Sequence, residues 1–79
     1  MTEEKNIELC QDVLATRVAQ MIAERDRITQ TEAIRKLMAT QTYDLLLDPE
    51  SYLHLESAEY ILDMYNAERR GDWERWMEV

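Results

Sequence analysis

Apolar residues return at helical spacing along nearly the whole chain, and the interruptions between them carry cap and stop signals. Ile7, Cys10, Leu14, Val18, Met21 and Ile22 fall on one helical face, with Leu9 and Val13 widening it. This spacing predicts a first helix over about residues 3–27. Thr2 fits its N-cap and Glu3 and Glu4 its first turn, where carboxylates suit the helix dipole; Arg25 and Arg27 suit the opposite end. A face this wide can pack on two other helices, and Cys10, lying within it, is expected to be a buried structural thiol.

The densest apolar spacing lies between Ile28 and Pro49, and the rest of the chain is organised around it. Thr29-Gln30-Thr31-Glu32 reads as a capping box, in which hydroxyl and carboxylate satisfy each other's free backbone amides. A second helix over about residues 30–39 follows, with Ile34, Leu37 and Met38 inward and Glu32 and Lys36 as an i,i+4 pair. Thr40 offers a further cap, and Tyr43, Leu46 and Leu47 suit a short helix over about residues 41–47 that Asp48-Pro49 ends. Asp48 and Pro49 then fit the cap and first position of another turn, about residues 49–53. Ser57 starts a helix over about residues 58–70, which Arg69-Arg70-Gly71 stops. On it Ala58, Tyr60, Ile61, Met64 and Tyr65 share one face and Glu59, Asp63, Asn66 and Arg70 the other. In the tail, residues 71–79, Asp72 can cap a last turn that sets Trp73, Trp76 and Met77 together.

The expected architecture is a single all-α domain over residues 1–79: a small bundle of three principal helices plus short helical turns. Composition agrees with it. With 46% hydrophobic and 33% charged residues in 79, the chain lies outside the disordered class, and one Gly with one Pro leaves little material for β-turns. A chain this short buries only about 60% of its unfolded surface, so association into a homodimer is a further expectation.

Charge changes the picture more than composition does. The net charge is -8, yet residues 1–40 hold 7 acids and 6 bases while residues 41–79 hold 10 acids and 3 bases. An acidic half repels phosphate backbones and anionic membranes and favours a basic protein partner. The start MTEEKNIELC lacks the regions of a secretory signal, and no apolar run approaches the ~20 residues of a membrane span, so a cytoplasmic protein is expected.

Catalytic chemistry finds little support. One Cys and one His, Cys10 and His54, stand 44 positions apart without a zinc or nucleophile motif. Glu56, Glu59 and Asp63 lack the shaped loop that a hard cation requires, and one Gly makes no phosphate-binding loop. No enzyme activity, cofactor or metal is expected. Trp73, Trp76 and Met77 are the candidate partner-binding residues, since large rigid apolar side chains dominate interface hot spots.

Two resemblances bear on function. Thr31-Glu32-Ala33-Ile34-Arg35-Lys36-Leu37 resembles the first helix of ribbon-helix-helix repressors, but a long amphipathic helix precedes it where those proteins place a basic β-strand. That match is read as a decoy; the DNA-binding alternative it raises would use Arg25, Arg27, Arg35 and Lys36. The order Ala33 to Leu37, Thr40-x-Thr42-Tyr43-x-x-Leu46, Asp48-Pro49-Glu50, Leu53 to Ser57 and Tyr60-Ile61 resembles a group of small uncharacterised bacterial all-helical proteins, some encoded beside toxin-like genes. This resemblance implies a bacterial accessory or antitoxin-like protein without catalytic residues. The function expected is that of a small acidic protein-binding module, with a DNA-binding transcriptional regulator as the alternative.

Overall fold

The computed structural model describes residues 2–72. Four α-helices make up an all-α bundle there: α1 (Thr2–Asp26), α2 (Gln30–Met38), α3 (Gln41–Leu47) and α4 (Ala58–Arg70). Two 3-10 turns, Pro49–Ser51 and Leu53–Leu55, join α3 to α4. No strand occurs among the described residues.

Local signals account for the boundaries. Thr29 and Glu32 form the capping box: each backbone N–H donates to the other's side-chain oxygen at 3.1 Å. Thr40 serves two helices at once. Its hydroxyl donates to the Leu37 carbonyl at the end of α2 and accepts from the Tyr43 N–H at the start of α3. Asp48 and Ser57 accept from the N–H groups of Glu50 and Tyr60 at the next two starts.

Two helices end alike with different residues. Gly71 closes α4 at φ 82°, and the Asp72 N–H reaches back to the Ala67 carbonyl at 2.8 Å. Arg27 takes the same left-handed conformation after α1, φ 58°, and the Ile28 N–H reaches the Ala23 carbonyl at 3.1 Å. This is the 6→1 bond of a Schellman ending, which glycine makes without steric cost and arginine makes here with one.

The core is a single apolar layer. Val18, Ala19 and Ile22 of α1 meet Ala33 and Leu37 of α2, Leu46 of α3, and Ile61, Met64 and Tyr65 of α4, with Leu53 closing one side. Each fully buried large aliphatic residue contributes about 2 kcal/mol by leaving water. One polar clamp completes the packing. The Glu68 carboxylate, near the end of α4, accepts from the N–H groups of Gln41 and Thr42 at 2.9 Å each and from the Thr42 hydroxyl at 2.8 Å.

The apolar face expected of α1 is narrower than its sequence pattern. Cys10, Leu9 and Val13 are exposed rather than buried. Two reasons combine: Leu9 and Val13 lie on the side of α1 opposite Ala15, Val18 and Ile22, and α1 outruns its partners, with 25 residues against 9 in α2 and 13 in α4, about 14 and 20 Å of helix. Residues 6–10 contain no buried side chain, and the longest dimension of the described residues, 38 Å, equals about the length of α1 itself. Met38, Leu47 and Tyr60, expected inward, are also substantially exposed, because each sits at the edge of its helix's buried stripe.

Candidate protein-binding surface

Between α3 and α4 the chain turns twice within a few residues. Asp48 caps the first 3-10 turn with Pro49 in its opening position, and Tyr52 then enters the left-handed region at φ 60°, ψ 16°. That reversal drives alternate side chains to opposite sides. Leu53 goes into the core, while Tyr52 stands 64% exposed and Leu55 72% exposed. Leu55 is the most exposed of the large hydrophobic residues described.

This outward surface sits in an unbalanced field. Residues 37–68 contain Asp44, Asp48, Glu50, Glu56, Glu59, Asp63 and Glu68 and no Lys or Arg. Asp48, Glu50 and Glu56, which surround Tyr52 and Leu55 in sequence, are exposed. Among the described residues the ion pairs are Arg25 with Asp26 at 2.9 Å and Arg70 with Asp72 at 3.2 Å, so none neutralises these three acids.

Against α1 the second turn leaves a shallow cleft of about 260 Å³, lined by Asn6, Ile7, Cys10, His54 and Leu55. The fold thus brings together Cys10 and His54, which lie far apart in sequence. His54 is half-buried, its Nδ1 has no hydrogen-bond partner among the described residues, and its ring lies 6.3 Å from that of Tyr52. The two side chains do not make a metal centre by themselves, and no group of three or more His, Cys, Asp and Glu able to hold a metal ion occurs among the described residues.

The cations of the DNA-binding alternative are differently employed. Arg25 donates through Nε to Asp26 and through Nη1 to Asn66 of α4 at 2.6 Å, which docks the end of α1 on α4. The Arg25 hydrogen bond holds the Asp26 carboxyl below its ordinary range, with smaller contributions from the charges of Lys36 and Arg69. Arg25 is the cation that pairs with Asp26. Arg27 ends α1, and Arg35 stands exposed in the last turn of α2. Trp73, Trp76 and Met77 lie outside the described residues.

Tyr52 and Leu55 were not singled out by the sequence reading. Their signal was present as two large apolar residues three apart, in a stretch with acids and no bases. No protein-family model matches the chain, and no curated protein and no solved structure matches it.

Proposed function

We propose that this chain is a protein-binding module whose contact surface is the pair of 3-10 turns between α3 and α4. The observation that carries the reading is the outward placement of Tyr52 and Leu55 on either side of buried Leu53, among exposed acids that no cation of the described residues pairs with. Apolar side chains held on a short, hydrogen-bonded turn lose little freedom on binding and act as anchors. The acids steer a basic partner and set its orientation. An antitoxin-like accessory role fits a module that covers a basic protein in this way.

The test compares the intact chain with a Tyr52→Ser, Leu55→Ser double variant as bait in lysate of the source cell, after circular dichroism has matched their helical content. A basic protein retained by the intact chain, lost with the variant and released as salt rises supports the reading. The same proteins on both baits overturn it. A Trp73→Ala, Trp76→Ala bait reports whether the tail contributes to the same contact.

Arg27, Arg35 and Lys36, exposed and in no ion pair among the described residues, favour a DNA-binding regulator as the second reading. Specific DNA retarded at low salt, with binding that weakens steeply as salt rises and with Lys36→Ala, would favour it.

A further inference from the structure

The outer face of α1 carries a second pattern that the core does not use. Asn6, Leu9, Val13, Thr16 and Gln20 recur at alternating spacings of three and four, and all five are exposed. Leu9 and Val13, at the middle of this stripe, are 62% and 56% exposed. They lie on the side of the helix opposite Ala15, Val18 and Ile22, which form the core face. A shallow groove of about 300 Å³, lined by Asp12, Val13, Thr16, Arg17 and Gln20, runs along the same face.

The alternation is the a and d pattern of a coiled-coil seam, with Asn6, Val13 and Gln20 at a and Leu9 and Thr16 at d. Asp12 and Arg17 are then the g and e positions, flanking the seam on opposite sides. Both are exposed, and neither belongs to an ion pair among the described residues. Five residues apart on opposite flanks, they cannot reach each other on their own helix.

We propose that this face takes a second copy of the chain, with the two α1 helices parallel and in register. Charge decides the occupant and its direction. A parallel two-fold pair sets Asp12 of each copy against Arg17 of the other, forming two complementary contacts, because g of one heptad meets e of the next across such a seam. An antiparallel pair sets the Asp12 flank against itself and the Arg17 flank against itself, which is repulsive. Val13 meets Val13 and Leu9 meets Leu9 of the second copy, a β-branched residue at a and leucine at d, the combination that favours two strands. Asn6 and Gln20, the polar residues at the other two a positions, each meet their own counterpart in register, which favours that register at a cost in stability. Both bodies stay on the outside of the pair, since the core face of each α1 points away from the seam. The inference rests on α1 and not on the partner-binding turns, although Asn6 lies at the border between the seam and the cleft beside Leu55.

Sedimentation equilibrium of the full chain at low ionic strength tests it, reading the association constant of wild type, Arg17→Asp, and the Asp12→Arg, Arg17→Asp double variant. Wild type is expected to reach twice the chain mass. Arg17→Asp is expected to weaken association roughly tenfold by turning two attractive contacts into two repulsive ones, and the double variant to restore it. These side chains lie outside the core, so circular dichroism should stay unchanged. Direction is read separately by oxidising a Cys10→Ser, Leu9→Cys variant, since d residues meet within disulfide reach in a parallel pair. A covalent dimer supports the proposal. A monomer at millimolar chain, association indifferent to Arg17→Asp, or a dimer that does not cross-link through position 9 overturns it.

Discussion

Glu68 closes the start of α3 from a position 26 residues away: its Oε1 accepts from both the N–H and the hydroxyl of Thr42. Thr42 is fully buried, so its hydroxyl would lose water without this partner. Removing the carboxylate strands a buried donor and two amides. Glu68→Ala is expected to lower unfolding free energy by about 1–3 kcal/mol. Thr42→Val, which removes the buried donor itself, should cost less. Urea titration of both single variants and the double variant should give a coupling energy of at least ~0.5 kcal/mol.

Acid should loosen the start of α2. The Glu32 carboxyl lies below its ordinary value of 4.5, chiefly because the Thr29 backbone N–H donates to it, with the Thr29 hydroxyl adding to the effect. A carboxyl depressed on folding binds fewer protons in the native than in the unfolded state, so its contribution is complete above 4.5 and disappears as pH falls through the lower folded value. Glu32→Gln keeps an oxygen for the capping box and removes the titration. The urea midpoint of this variant should therefore fall less steeply with acid than that of wild type.

Tyr52 should be a residue whose replacement strengthens the fold and weakens its use. A non-glycine residue in the left-handed region costs about 1–2 kcal/mol, and glycine there gives back about 0.5–1 kcal/mol through the greater freedom of the unfolded chain. Because Tyr52 is largely exposed, little burial is lost with its ring. Tyr52→Gly is thus expected to be neutral or up to ~1 kcal/mol more stable by urea titration, while its retention of the basic partner falls.

Tyr65 is a second stabilising site, inside the core. The residue is fully buried, Arg69 lies over its ring at 5.7 Å, and its hydroxyl has no hydrogen-bond partner among the described residues. A buried hydroxyl without a partner costs about 1–3 kcal/mol of lost hydration. Tyr65→Phe keeps the ring and the cation above it, so thermal unfolding should move upward.

What the sequence made legible was what depends on near neighbours. Thr29 with Glu32, Thr40, Asp48 with Pro49, Ser57 and Gly71 all cap or stop where their local chemistry predicts, because each acts within four residues. Glu68 was invisible as a cap, since its partners lie in another helix. Leu9 and Val13 widen the apolar pattern of α1 onto the side opposite Val18 and Ile22, where no partner packs among the described residues, and Cys10 lies beyond the reach of the shorter helices, which the spacing alone does not show. The left-handed Tyr52 escaped for a related reason: tyrosine carries no signal for that conformation, which packing of Leu53 and the Ser51 hydrogen bonds to Leu45, Asp48 and Leu53 impose. The candidate surface was accordingly half legible, its acidity plain and its apolar anchors hidden among core-like spacings.

The described residues span 18 Å in their thinnest dimension, less than two helix diameters. Among the described residues no helix is enclosed by the others, so none survives as a sheltered remnant when another leaves. Lifting α4 wets Val18 and Ile22 in the same step as Ile61 and Tyr65. In hydrogen exchange, the slowest amides of α1, α2 and α4 should converge on one opening free energy, that of the whole domain.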